Sequence, residues 1–181
     1  ITQNVKTIKS VPLALPLNHL FANGRTEIRG EIVMYKADFA KINKLLEEQG
    51  EKTYANPRNL AAGTMRQLDP KVVAGRKLYF IPYDLLRDEA SEVSTNQFAY
   101  KTFKELGFVD SKSTKLLKTS DKIFEYSEYW KEKRHELPFN TDGLVIKIND
   151  RYLKASLGIV GKNHRGAIAI KYPAETATTI L

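Results

Sequence analysis

The sequence predicts an α+β domain in which antiparallel sheets carry helices on their outer sides and enclose a polar cleft. Three observations lead there. Glu27-Ile28-Arg29-Gly30-Glu31-Ile32-Val33-Met34 alternates charged and apolar residues with the period of a strand. Residues 141–148 and 167–173 are short aliphatic runs bounded by Gly and Pro, each with a single lysine set into it, Lys147 and Lys171. Between these strands lie stretches punctuated by helix start and stop signals.

Composition sets the outer limits. A chain of 181 residues, 42% hydrophobic and 28% charged, is long enough for one domain, or one large domain with a small annex, around a real core. No run approaches the length that spans a bilayer and no secretory signal opens the chain, so no membrane partner is expected. The absence of cysteine excludes disulfides and thiolate zinc sites in this chain and fits a reducing compartment. A net charge of +8 favours a polyanionic partner, chiefly nucleic acid. That charge is spread over folded-looking segments rather than gathered in a tail.

Taken in order, residues 1–20 are punctuated by Pro12 and Pro16 and read as an extended opening strand whose Val5 and Ile8 touch the core. Ile1 falls mid-pattern, as at the edge of a fragment. In the strand at 27–34, Glu27, Arg29 and Glu31 form one face and Ile28, Gly30, Ile32 and Met34 the other. The charged row is either solvated or lines a polar cleft, with Gly30 admitting the close approach of another backbone. Asp38 caps a helix whose Phe39, Ile42, Leu45 and Leu46 are core and which ends near Gly50. Asn56-Pro57 opens a second helix. Its Arg58 and Arg66 fall about 80° apart around the axis, and Ala61, Ala62 and Gly63 keep it thin. Such a face either lies along a phosphate backbone or is a solvated basic surface.

Asp69-Pro70 stops that helix, and residues 77–85 read as a strand in which Pro82 marks an edge or a bulge. Tyr79 and Tyr83 share a face there, and either could stack on a planar ligand or simply pack. Residues 87–97 are loop-like. Phe98, Phe103 and Leu106 mark a helix closed by Gly107. Ser120 or Asp121 opens another, with Ile123, Phe124, Ser127 and Trp130 inward and Lys131, Lys133 and Arg134 suiting the dipole at its end. His19, His135 and His164 show no ligand spacing and are given no role.

The two lysine strands carry the chemistry. Alternation puts Lys147 on a face with Val145, and Lys171 on a face with Ala169 and Ala167. An ammonium in an apolar run either snorkels out or meets an anion, and small alanines leave room for that anion to be a ligand. One such strand would read as a lysine facing water. Its repetition, with Asp142-Gly143 opening the first, favours the ligand. Glu31 for ribose hydroxyls, Tyr83 for a base and two lysines for phosphate would together make a nucleotide pocket, with Arg58, Arg66 and Arg134 at its margins. Lysines at a phosphate neutralise charge that develops during nucleotidyl transfer.

These residues, in this order, resemble the adenylation (nucleotidyltransferase) domain of bacterial NAD-dependent DNA ligases. The resemblance runs through Thr7-Ile8-Lys9-Ser10-Val11-Pro12, Glu27-Ile28-Arg29-Gly30-Glu31 and Ala55-Asn56-Pro57-Arg58-Asn59-Leu60-Ala61-Ala62-Gly63. It continues through Arg66-Gln67-Leu68-Asp69-Pro70, Leu137-Pro138-Phe139, Asp142-Gly143-Leu144-Val145-Ile146-Lys147 and Ala167-Ile168-Ala169-Ile170-Lys171-Tyr172-Pro173. The Glu-x-Arg-Gly-Glu and Asp-Gly-x-x-x-Lys elements are shared widely among nucleotidyltransferases, whereas the Ala-Asn-Pro-Arg-Asn block is particular to the NAD-dependent branch.

The resemblance implies a nucleotidyltransferase, ATP-grasp-like fold. It implies that Glu31, Lys147 and Lys171 contact the adenylate, that Tyr83 stacks on adenine and that Asp142 supports the chemistry or its metal. Arg58, Arg66 and Arg134 would then serve phosphates of nicked DNA or of the adenylate. The implied cofactors are NAD and Mg²⁺ (or Mn²⁺), and the implied partner of a monomeric protein is nicked duplex DNA in the bacterial cytoplasm, at the nucleoid. In the family reaction a lysine attacks NAD and releases nicotinamide mononucleotide, AMP moves to the 5′-phosphate at a nick, and the 3′-hydroxyl displaces it.

Two departures stand out. The nucleophilic lysine of the family lies in a Lys-x-Asp-Gly motif absent from this chain; Lys36-Ala37-Asp38-Phe39 is the nearest approach and follows Glu31 instead of preceding it. Residues 1–181 are therefore expected to be a partial adenylation domain that lacks the nucleophile's segment and cannot self-adenylate, with the family's other domains outside it. Gly166 stands where the family usually has a Trp before the Ala-Ile-Ala run, which bears on packing near Lys171. Two other readings compete: a non-catalytic nucleic-acid-binding domain, and an ATP-dependent ligase or capping-type nucleotidyltransferase.

Overall fold

In the computed structural model, which describes residues 1–109, 113–161 and 163–173, helices and short antiparallel ladders alternate along the chain. The fold is α+β, as the sequence predicts. The chain divides into two units, Ile1–Lys115 and Leu116–Leu181.

The first unit is built on the ladder of β1 (Thr26–Val33) with β2 (Tyr79–Arg87). Pairing runs from Val33 opposite Tyr79 to Gly30 opposite Pro82, then resumes with Arg29 opposite Asp84, leaving Tyr83 as the extra residue of a bulge. Pro82 thus marks a bulge, as its missing N–H suggests. Gly30 admits a close neighbour, because a Cβ there would come 2.5 Å from the Ile81 carbonyl oxygen and into the Phe80 ring. Four helices, α1 (Thr2–Val5), α2 (Lys36–Glu48), α3 (Pro57–Met65) and α4 (Pro70–Ala74), lie in the same unit. Ile8, Met34, Leu60, Ala61, Met65, Val73 and Leu78 make one core cluster. A second gathers Phe21, Leu85 and Val93 with Ala99, Phe103 and Leu106 around α5 (Asn96–Glu105). Arg87 ties the ladder's end together. Its Nη1 donates to the carbonyls of Asn23 and Arg25 and to Thr26 Oγ1, its Nε to Glu92, and its guanidinium lies over the Phe21 ring.

Several local expectations change. The opening segment is a turn of helix followed by tight turns, not a strand, though Ile8 is buried and Val5 packs on the core. Asp38 is not the cap of α2. The helix begins two residues earlier with Tyr35 at its N-cap, and Asp38 stands in the first turn, where the dipole favours it, accepting a hydrogen bond from the Tyr79 hydroxyl at 3.2 Å. The core stripe of α2 is narrower than its periodicity implies, since Leu45 is exposed. Asn56 caps α3 as expected, accepting from Asn59 N at 2.8 Å. Asp69-Pro70 starts a helix instead of stopping one: α3 has already ended at Arg66, and the Asp69 carboxylate accepts from Lys71 N to open α4. The stretch at 87–97 holds a 3-10 turn, Ala90–Val93, that buries Val93.

The second unit contains α6 (Ser120–Lys133), β3 (Gly143–Lys147), α7 (Arg151–Ser156), the small hairpin of β4 (Ile159–Val160) and β5 (Asn163–His164), and β6 (Ala167–Lys171). On α6, Phe124 faces solvent at 65% exposure, and Tyr126 is the half-buried neighbour of buried Ser127 in its place. Periodicity gives no sign of α7, whose start is fixed by the Asp150 side chain accepting from Leu153 N. Gly166 is buried against this helix. A Cβ on Gly166 would meet Lys154 Cγ at 2.5 Å and Lys154 Cα at 3.1 Å, so a Trp at 166 requires α7 to move.

Candidate functional site

The ladder of β3 with β6 fixes where the two lysines stand. Gly143 pairs with Lys171, Val145 with Ala169 and Lys147 with Ala167. Paired residues of antiparallel strands share a face, as do residues two apart on one strand. Lys147 and Lys171 therefore lie on the same face, at opposite ends of the ladder, separated by about 13 Å along the strands. Between them that face offers Val145, 62% exposed, and Ala169, also exposed. The result is a low apolar floor with a cation at each end. Gly143 makes the close pairing possible, because a Cβ there would fall inside the Ile170 carbonyl and 2.9 Å from Lys171 Cα.

The pairing extends one step further, Tyr172 N donating to the Asp142 carbonyl at 2.9 Å. Alternation turns Asp142 and Tyr172 toward the face opposite the lysines. Tyr172 is buried, and the Arg134 guanidinium lies over its ring at 5.1 Å. Burial pushes the Tyr172 phenol above its ordinary pKa, and the charge of Arg134 works against that rise. Arg134 is thus seated on an aromatic platform. Sequence reasoning missed this contact, although an aromatic residue directly after Lys171 was its signal.

In the first unit, the charged row of β1 splits. Arg29 Nε donates to Glu27 at 2.6 Å and Arg25 adds a second contact at 3.2 Å. The hydrogen bond and charge of Arg29 hold the Glu27 carboxyl below the ordinary range. Glu31, exposed on the same strand, has no hydrogen bond or ion pair among the described residues. The two tyrosines of β2 also part company. Pairing is regular from Tyr79 to Pro82 and the bulge comes only at Tyr83, so the two differ in what they touch rather than in alternation between them. Tyr79 is committed to packing, stacked on Tyr35 at 3.6 Å and bonded to Asp38, whereas Tyr83 is 42% exposed. Of the two, Tyr83 is the more exposed ring.

Arg58 and Arg66 are both exposed on α3, the first as its second residue and the second at its C-cap. Ala61 turns into the core, while Ala62 is exposed and Gly63 has open space around its Cα. Glu31, Tyr83, Arg58 and Arg66 belong to the first unit; Arg134, Asp142, Lys147 and Lys171 belong to the second. Among the described residues no three His, Asp or Glu side chains gather as a metal site, and no helix is long and apolar enough to cross a membrane.

Comparison with known proteins decides the family. Residues 1–175 match the NAD-dependent DNA ligase adenylation domain. The chain belongs to that family. It is 45% identical over 179 residues to a DNA ligase of Natranaerobius thermophilus, covering 98% of this chain and 26% of that protein. A DNA ligase of Bacillus cytotoxicus is 42% identical over 181 residues, with 100% and 26% covered. One of Neisseria gonorrhoeae is 40% identical over 185 residues, with 100% and 22% covered. The chain spans about a quarter of the length of the curated relatives it matches. The ladder face with its two lysines, and the carboxylate of Glu31, stand on the Asp-Gly-x-x-x-Lys, Ala-Ile-Ala-Ile-Lys and Glu-x-Arg-Gly-Glu motifs that carry the resemblance to this family.

Proposed function

We propose that the protein carrying this chain is a DNA ligase that seals nicks in duplex DNA with NAD as adenylate donor, acting as a monomer in the bacterial cytoplasm, at the nucleoid. Membership of the adenylation domain family supports this reading, and the face bearing Lys147 and Lys171 is the structural observation that carries it. The chain is read as part of a nucleotidyltransferase, ATP-grasp-like fold that handles the adenylate in a nucleotide cleft.

The residues divide the work by chemistry. Lys147 and Lys171 lean over the floor of Val145 and Ala169 toward phosphate oxygens, where compact ammonium groups neutralise charge that rises as the phosphorus changes partners. The Glu31 carboxylate accepts from ribose hydroxyls, and the Tyr83 ring offers a face to adenine. Asp142 supports this chemistry from the start of β3. Arg58 and Arg66 hold phosphates of the nicked duplex, and Arg134, steadied by Tyr172, serves phosphates of the DNA or the adenylate. The covalent sequence has three steps: attack of a lysine outside this chain on NAD with loss of nicotinamide mononucleotide, transfer of AMP to the 5′-phosphate, and displacement of AMP by the 3′-hydroxyl. Mg²⁺ or Mn²⁺ accompanies such chemistry, but no group of three carboxylates or histidines among the described residues fits a resident ion, so no step is assigned through one.

The test offers the intact protein NAD or ATP, each labelled in its adenylate, together with nicked duplex. Label passing from NAD to protein and then to DNA is the expected result. Label taken from ATP alone would make the protein an ATP-dependent ligase or capping-type enzyme. DNA binding with transfer from neither would leave a non-catalytic binding domain.

A further inference from the structure

α3 is a nine-residue helix, too short to hold itself in place by backbone bonding alone. Its core residues Leu60, Ala61 and Met65 fix which side faces inward. They do not fix its ends, and Arg58 and Arg66 stand at the ends. Two asparagines do. Asn4 of α1 is 3% exposed, and its Nδ2 donates to the carbonyls of Met65 at 3.0 Å and Gln67 at 2.8 Å, on either side of Arg66. Asn43 of α2 grips Tyr54 from both sides, its Nδ2 donating to the Tyr54 carbonyl at 2.9 Å and its Oδ1 accepting from Tyr54 N at 3.0 Å. Tyr54 stands two residues before the Asn56 cap and four before Arg58.

Last-turn carbonyls of a helix have no intrahelical donor. Asn4 supplies one at Met65 and carries the chain onward through Gln67, so the backbone of Arg66 is held on both sides. An amide suits both tasks. Carboxylate oxygens could not donate to the two carbonyls held by Asn4, and an aliphatic side chain would leave both without that donor, the Met65 carbonyl in a buried setting.

We propose that Asn4 and Asn43 are positioning residues that clamp the two ends of α3 and thereby preorganise Arg58 and Arg66 for the phosphates of nicked DNA. The proposal rests on the reading of those arginines as phosphate contacts. Neither asparagine touches DNA. Each acts through an arginine by raising the fraction of protein whose α3 is already in the binding arrangement.

A clamp and a contact leave different traces. Removing a contact lowers the number of phosphates neutralised, which flattens the salt dependence of binding by about one in slope for each arginine. Loosening a clamp leaves that number unchanged and reduces the competent fraction. If that fraction falls to about a tenth, the apparent dissociation constant rises about tenfold at every salt concentration.

The experiment measures nicked-duplex dissociation constants across a salt series for the intact protein and for Asn4→Ala, Asn43→Ala, Arg58→Ala and Arg66→Ala. Ser10→Ala is the control, because Ser10 also makes a buried side-chain bond to backbone, accepting from Phe80 N at 2.8 Å, but holds β2 rather than α3. Hydrogen exchange at the Tyr54 and Gln67 amides is read alongside. Both asparagine variants should weaken binding about tenfold with the slope unchanged and speed exchange at their own end of α3, while Ser10→Ala does neither. Should Asn4→Ala fail to fold, Asn43→Asp carries the test, since it keeps the acceptor for Tyr54 N and removes only the donor. Asparagine variants that bind like the parent while the arginine variants flatten the slope would overturn the clamp and leave the phosphate reading standing. Arginine variants with unchanged slopes would remove the reading on which the clamp rests.

Discussion

Lys147 and Lys171 owe their shared face to a register, and Gly143 is the residue that permits it. Any side chain at 143 meets the Ile170 carbonyl, which belongs to the partner strand and cannot retreat without breaking the ladder. Gly143→Ala should therefore destabilise the second unit by roughly 1–3 kcal/mol and displace Lys171, lowering both the melting temperature and the rate of sealing. Gly63 is the contrasting case. Nothing lies within 4 Å of the place a methyl group would take there, and the residue sits inside α3, so Gly63→Ala should raise stability by about 0.5–1 kcal/mol in thermal unfolding. The sequence announced Gly30, Pro82 and Asn56, because glycine approach, a missing N–H and a helix cap are local rules. It was silent on Asn4, whose partners lie 61 and 63 residues away and leave no periodic trace.

At the scale of elements, long patterns were legible and short helices were not. β1, α3, α5, α6 and the two lysine strands follow from periodicity and caps, whereas α1, α4 and α7 span only four to six residues, less than the pattern needs to repeat. The 3-10 turn at Ala90–Val93 closes on Arg87, whose side chain is 8% exposed and bonded through Nε to Glu92. Arg87→Ala would strand that carboxylate and three acceptors at the end of the β1–β2 ladder, an expected loss of about 3 kcal/mol in denaturant unfolding. Arg87→Lys should not restore it, because one ammonium does not reproduce the fork. The Tyr35–Tyr79 stack joins α2 to β2 in the same unit. Burial, and then the charge of Asp38, raise both phenols above their ordinary pKa. Their contribution is present below the unfolded tyrosine pKa of about 10 and is lost as pH rises through the higher folded values. Stability should accordingly fall above about pH 10, and replacing both tyrosines with Phe should blunt that fall in a pH series of thermal melts.

For the whole molecule, family membership was readable because the motifs occur in one order over nearly the full chain. Their arrangement was only partly readable. Alternation put each lysine on a face of its own strand, but only the pairing of Gly143 with Lys171 puts the two on the same face. The missing Lys-x-Asp-Gly leads to a plain expectation: residues 1–181 incubated with NAD and Mg²⁺ should gain no AMP in an intact-mass measurement, and an adenylate on this chain would contradict it. The most direct test follows adenylate label from NAD to nicked duplex in a single turnover of the intact protein, comparing the parent with Lys147→Ala and Lys171→Ala. The expected result is label transfer and sealing in the parent, and sealing slowed about 100-fold or more in each variant with melting temperature preserved. Variants that seal at the parent's rate, or a parent that takes no label from NAD, would contradict it.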